Sequence, residues 1–188
     1  MSIKKHIPNV ITLLNLSAGI FALIHAFNGN YNEAFSCVCV GIFFDFWDGF
    51  FARLLKVQSA LGLQLDSLAD MVTSGVVPGV VMYKMLADIQ ENQPDYNLTQ
   101  ETFYMGIVPY LGFLITLGSC YRLAKFNIDT RQTDSFIGLP TPANALLIMS
   151  LPMILFDNQF EVLSDLLSNP YVLVGISIFS AYILNAEI

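Results

Sequence analysis

Apolar residues run in long blocks along this chain, separated by short polar connections, and six blocks stand out at residues 7–27, 35–55, 63–87, 103–126, 142–156 and 171–184. A helix crossing about 30 Å of hydrocarbon needs about 20 mostly apolar residues. The pattern therefore predicts an all-α, polytopic membrane protein with about six transmembrane helices. The fifth and sixth blocks are short for a full crossing, so a tilted, interfacial or re-entrant placement stays open for both. The first block follows Lys4 and Lys5, as a signal peptide would, but no small-residue cleavage site ends it before the polar turn Asn28-Gly29-Asn30. It is read as a retained helix. The longest connection, residues 88–102, is polar and carries Pro94 as a helix breaker. No repeat or low-complexity segment divides the chain, so a single domain is expected over 1–188. The chain stops almost as soon as the sixth block ends, which suggests a shortened C-terminus.

Composition sharpens the membrane reading. The chain is 55% hydrophobic and 12% charged with mean hydropathy +0.60, whereas soluble domains carry about 25% charged residues. With six crossings, Lys4, Lys5, Arg53, Lys56, Arg122, Lys125 and Arg131 share one side of the membrane. The other side receives Lys84 together with Glu33, Asp88, Glu91, Asp95, Glu101, Asp157, Glu161 and Asp165. Because Lys and Arg near helix ends are retained on the cytoplasmic side, both termini are predicted to be cytoplasmic. The net charge of −7 argues against nucleic acid as a partner, since phosphate binding calls for a basic footprint. Cys37, Cys39 and Cys120 lie in apolar blocks without zinc-like spacing and are expected to be packing residues. His6 and His25 are isolated, which fits juxtamembrane or core roles.

The candidate chemistry sits where the second block ends and the third begins. Asp45 and Asp48 are three residues apart, and Asp66 and Asp70 four apart. On helices each pair shares one face, and the short segment between the pairs predicts an antiparallel hairpin that gathers all four carboxylates. Acidic residues near helix ends can simply rest in the membrane interface, and Asp66 would favour a helix start. Against this, a charged residue within a membrane helix costs roughly 2.5–3.5 kcal/mol on insertion scales and usually marks function. Clustered carboxylates also repel one another, and protonation or bound cations must relieve that. Oxygen ligands without His or Cys suit Mg²⁺, Mn²⁺ or Ca²⁺, and two such ions would neutralise the set and polarise a phosphoryl group. Gly49 and Gly62 allow close approach of a nucleotide to the backbone, although glycines in membrane helices also serve packing. Arg53 adds a fixed positive fork beside the cluster.

Read as one line, Asp45-x-x-Asp48-Gly49-x-x-Ala52-Arg53, eight residues, Gly62-x-x-x-Asp66-x-x-x-Asp70 resembles the signature of the CDP-alcohol phosphatidyltransferases at every fixed position. Three flanking motifs resemble the phosphatidylserine synthase branch: Pro8-Asn9-x-Ile11-Thr12 with Asn15, Arg122-Leu123-Ala124-Lys125-Phe126-Asn127, and Phe136-x-Gly138-Leu139-Pro140-x-Pro142-Ala143. The resemblance implies a homodimeric membrane enzyme of six core helices that transfers a phosphatidyl group from CDP-diacylglycerol to an alcohol and releases CMP. It implies Asp45, Asp48, Asp66 and Asp70 as ligands of Mg²⁺ or Mn²⁺, two ions per site, with Asp70 also the catalytic base. It puts Gly49, Ala52, Arg53 and Gly62 around the CDP moiety, joined by Ser59, Asn9 and Thr12.

For the acceptor, the branch implies L-serine, whose carboxylate calls for a cation. Arg122 is the first candidate and Lys125 the second, with Arg131 more ambiguous; positive-inside anchoring or headgroup contact is the plain alternative for these residues. The run Gly138-Leu139-Pro140-Thr141-Pro142 either breaks the chain before the fifth helix or shapes the acceptor pocket. Two other functions stay open: the same chemistry on glycerol 3-phosphate or inositol phosphate, and a divalent-cation transporter. The reaction is expected at the cytoplasmic end of helices 2 and 3, where a water-soluble CDP group meets the leaflet that holds its lipid tails.

Overall fold

The computed structural model of the chain describes residues 6–91, 106–128, 138–155 and 161–186. Every regular element among them is helical. Helix α1, Ile7–Phe27, opens with a proline in its first turn, where the missing amide hydrogen costs nothing. The turn that follows uses Gly29 at φ 74° and leads into α2, Tyr31–Leu54. These two helices form an antiparallel hairpin whose buried faces are built from small residues, Ala18, Ala22 and Ala26 on α1 and Ala34, Val38 and Gly41 on α2. Within lipid, such small faces let helices approach closely enough for dispersion to hold them.

The end of α2 is a C-terminal lock. Val57 N–H donates to Ala52 O at 3.0 Å and Lys56 N–H to Arg53 O at 3.1 Å. Lys56 takes the left-handed conformation at φ 54° that this capping pattern needs and that glycine usually supplies. Ser59 then starts α3, Ala60–Asp70, by accepting a hydrogen bond from Gly62 N–H at 3.0 Å, a standard N-cap. The chain passes from α3 through a π-helical turn, Met71–Val76, into α4, Val77–Glu91. A 3₁₀ segment, Val108–Phe113, enters α5, Leu114–Ile128. Three further helices follow: α6, Thr141–Leu155; α7, Glu161–Leu167; and α8, Pro170–Asn185.

α4 and the π turn run through the middle of the bundle. α1 packs along one side, α6 and α5 along others, and α8 against α5. Val77, Val81, Met82, Met85 and Leu86 are enclosed by Ile115, Ile148, Met149 and Leu173. The outside is as apolar as the inside: Leu13, Phe21, Phe43, Phe46, Leu117, Tyr121, Phe179 and Tyr182 all face outward. An exterior of this kind belongs in lipid, and the chain is an integral membrane protein.

Among the described residues, three helices are long and apolar enough to cross a membrane: Ile7–Phe27, Tyr31–Leu54 and Ala60–Ile89. α7 and α8 together make a fourth if a pair bent by 79° counts as one span, and α6 is a shorter apolar helix. Two features depart from the sequence pattern. The segment leading into α5 is wound as a 3₁₀ helix, and within it Gly112 closes on α4, where a Cβ would come within 2.7 Å of Tyr83 N. α7 forms where a polar connection was expected, and Asn169 with Pro170 then begins α8, Asn169 accepting from Tyr171 N–H at 2.9 Å. Cys39 and Cys120, expected in packing, are exposed on the outside. Lys4, Lys5, Pro94, Asp95, Glu101, Arg131, Phe136 and Asp157 lie outside the described residues.

Candidate active site

The carboxylates gather as the aspartate spacing predicts, but α2 and α3 do so by each packing on α1 rather than by closing on one another as a tight hairpin. Asp45 and Asp48 sit on the last turns of α2, Asp66 and Asp70 on α3. One carboxylate oxygen from each of Asp45, Asp48 and Asp66 lies within 4.8 Å of the others. Asp70 joins the group, within interaction range of Asp45 and Asp66. At an effective dielectric of about 20, two charges at such a separation repel by about 3–4 kcal/mol. Asp48 is only 5% exposed, and Asp66 Oδ1 is buried with no hydrogen-bond partner among the described residues. A buried oxygen without a donor calls for one, and an all-oxygen set of this size fits a hard divalent cation. Two oxygens opposite each other on a magnesium ion stand about 4 Å apart. The cluster can therefore hold metal.

Neighbouring helices hold these carboxylates in place. Thr12 on α1 donates to Asp48 Oδ2 and also lies 3.1 Å from Pro8 O. Asn15, one turn further on, donates from Nδ2 to Asp70 Oδ1 at 3.1 Å. Ser67, on the α3 turn between the two aspartates, pairs with Asn127 of α5 through a 2.9 Å bond. The sequence motifs contain Thr12 and Asn15, but their pairing with Asp48 and Asp70 depends on how α1 crosses α2 and α3.

Beside the cluster opens a cavity of about 650 Å³. Its lining includes Asn9, Thr12, Gly49, Ala52, Arg53, Ser59 and Gly62, together with Asp48 and Asp66. These are the seven residues singled out around a CDP group, and they line one cavity with two of the four aspartates. At Gly62 a Cβ would stand 3.3 Å from Ser59 Oγ and 3.4 Å from Asn9 Oδ1, so a side chain there would crowd the cavity. Gly49 is more open, with Arg53 Nη2 nearest at 3.8 Å. Arg53 turns back on its own helix, Nε donating to Gly49 O at 3.1 Å, and this holds the guanidinium at the rim. The first turn of α3 also lines the cavity through Ala60, Gly62 and Leu63. A helix start carries partial positive charge and unpaired amides, which favour an anion. Sequence spacing did not single out that feature, although Ser59 three residues before Gly62 is a capping signal.

Arg122 and Lys125 occupy α5. Arg122 is buried at 8% exposure, its Nε lacks a hydrogen-bond partner among the described residues, and Asp70 is close enough to act on it electrostatically. Lys125, one turn on, is half-buried. Gly138, at φ 75°, closes against the end of α8, where a Cβ would lie 2.6 Å from Leu184 O, and Leu139 N–H donates to Ile183 O. The run that follows is therefore a docked entry to α6.

Sequence comparison with known proteins identifies the family. The sequence profile of the CDP-alcohol phosphatidyltransferases matches residues 5–183. A CDP-diacylglycerol–serine O-phosphatidyltransferase of Bacillus subtilis is 33% identical over 151 residues, covering 78% of this chain and 75% of its own. One from Helicobacter pylori is 31% identical over 163 residues, 83% of this chain and 60% of its own. An archaetidylserine synthase of Methanothermobacter thermautotrophicus is 27% identical over 174 residues, 92% of this chain and 65% of its own. The chain thus spans about three fifths to three quarters of the length of these relatives. The chain belongs to the CDP-alcohol phosphatidyltransferase family.

Proposed function

We propose that this protein transfers a phosphatidyl group from CDP-diacylglycerol to L-serine, giving phosphatidylserine and CMP. The observation that carries the proposal is the shared lining of the 650 Å³ cavity, to which Arg53, Gly49 and Gly62 contribute together with Asp48 and Asp66. A nucleotide diphosphate needs open backbone and positive charge next to metal-binding oxygens, and this lining offers all three. The relatives named as serine phosphatidyltransferases support serine as the acceptor.

Asp45, Asp48, Asp66 and Asp70 would hold two Mg²⁺ or Mn²⁺ ions. When bound, the ions supply charge neutralisation at the pyrophosphate oxygens. Asn9, Thr12, Gly49, Ala52, Arg53, Ser59 and Gly62 enclose the CDP group, with the start of α3 favouring the phosphates. Arg122 takes the carboxylate of serine as a fork, with Lys125 assisting. Asp70 accepts the proton of the serine hydroxyl as its oxygen attacks the lipid-bearing phosphorus. The new P–O bond forms while the bond to the CMP phosphate breaks, and CMP leaves with that electron pair. Positioning of the two reactants carries much of the acceleration.

We read the chain as a single domain with six crossings, working as a homodimer, with both termini and the aspartate cluster at the cytoplasmic face. The test is CMP release and lipid product by mass spectrometry, with CDP-diacylglycerol and serine, glycerol 3-phosphate or inositol phosphate in parallel, with and without chelator. Serine is expected to be the preferred acceptor. Preference for a phosphorylated acceptor would replace serine, and uptake of Mn²⁺ into sealed vesicles without any CMP release would replace the transferase reading.

A further inference from the structure

A π turn directly follows Asp70. Such turns are rare and frequently mark functional positions. The widened turn at Met71–Val76 contains Thr73, whose side chain reaches α1. Thr73 Oγ1 donates to Asn15 Oδ1 at 2.9 Å and lies 3.3 Å from Asn15 O. Asn15 Nδ2 donates in turn to Asp70 Oδ1 at 3.1 Å. Chemistry dictates this direction: a carboxylate only accepts, so the amide must present its NH₂ to Asp70, and its oxygen then needs the Thr73 hydroxyl.

The slot that receives Thr73 is cut from two helices. A Cβ on Gly19 of α1 would stand 2.5 Å from Thr73 Oγ1, and one on Gly41 of α2 would stand 2.6 Å from Thr73 Cγ2 and 3.0 Å from Asn15 Oδ1. Asn15 and Thr73 are both fully buried at 0% exposure. Neither lines the 650 Å³ cavity. A buried amide and hydroxyl are costly unless satisfied, and these two satisfy each other and Asp70.

The geometry points to Asn15 as a positioning residue for Asp70, with Thr73 as the group that orients Asn15. The relay engages one oxygen of Asp70 and fixes the plane of its carboxyl group. This inference rests on the proposed role of Asp70 as base.

The experiment compares the intact wild-type protein with Thr73→Val, Thr73→Ser and Asn15→Ala, measuring initial CMP release against CDP-diacylglycerol and serine at saturating Mn²⁺. Thr73→Val keeps the shape and removes the hydroxyl; Thr73→Ser keeps the hydroxyl. Thr73→Val and Asn15→Ala are expected to lower kcat by about tenfold or more, with KM for CDP-diacylglycerol unchanged within about twofold. Thr73→Ser should keep about half of the wild-type kcat or more. Equal activity of Thr73→Val and wild type, equal losses in Thr73→Val and Thr73→Ser, or a loss matched by loss of folded protein on size exclusion would each overturn the relay. The Thr73 pair decides the matter even if Asn15→Ala fails to fold. A wild type inactive with every acceptor removes the transferase reading and the relay together. An active wild type with an unaffected Thr73→Val removes the relay alone.

Discussion

Thr12 of α1 donates its hydroxyl hydrogen to Asp48 of α2, so the first helix of the chain reaches directly into the acidic cluster. The same hydroxyl lies 3.1 Å from Pro8 O, but one hydrogen cannot serve both acceptors fully. The charged acceptor takes the stronger share. Thr12 thus lines the cavity proposed for the nucleotide while its hydroxyl also orients Asp48.

Removing that bond should loosen the metal site before it affects the nucleotide. Partners that orient metal ligands typically contribute about 10–100-fold in metal affinity. Thr12→Val is therefore expected to raise the Mn²⁺ concentration for half-maximal CMP release by about tenfold. Thr12→Ser should stay near wild type. Metal titrations of the two variants check this.

Crowded carboxylates give a stability signature whose sign depends on metal. In chelator, Asp66→Asn removes the charge of one of three carboxylates held within 4.8 Å and relieves repulsion, so its melting temperature should exceed that of wild type by a few degrees. With Mn²⁺ present the order should reverse, because bound metal stabilises only the native form. Activity should fall by at least about 100-fold for Asp66→Asn, as for Asp70→Asn. Paired thermal melts in chelator and in Mn²⁺ decide it.

Arg122 is buried near Asp70, and a planar guanidinium grips a carboxylate in a way an ammonium does not. Arg122→Lys is expected to raise KM for serine by about tenfold while KM for CDP-diacylglycerol holds. A proportional rise in both would mean that Arg122 supports the fold or the donor instead.

Two glycines separate function from packing. Gly62→Ala pushes a methyl group to 3.3 Å from Ser59 Oγ at the cavity wall, and should raise KM for CDP-diacylglycerol with little change in melting temperature. Gly112→Ala sets a methyl group 2.7 Å from the Tyr83 backbone N. It should cost about 1–3 kcal/mol and lower the melting temperature with KM unchanged.

Topology can be read by labelling single cysteines in a background with Cys37, Cys39 and Cys120 replaced. Gln58→Cys, at the cavity rim, should react with an impermeant maleimide only after the cell membrane is opened. Asn30→Cys, in the turn between α1 and α2, should react in intact cells. The opposite pattern would invert the proposed orientation.

What was legible in the sequence was whatever has a local period. Apolar blocks long enough for a bilayer announced the long helices, and spacings of three and four put Asp45 with Asp48 and Asp66 with Asp70 on shared faces, because a helix turn needs no information from elsewhere in the chain. The cap at Ser59 is local too. Tertiary structure alone decided which face meets which: Asn15 finds Asp70 across 55 positions, Thr12 finds Asp48 across 36, and Arg122 is buried where α5 passes α3. Those pairings depend on how closely α1, α2 and the π turn approach, and that distance is set by Gly19 and Gly41 making room for Thr73. No periodicity along one helix encodes a gap between two.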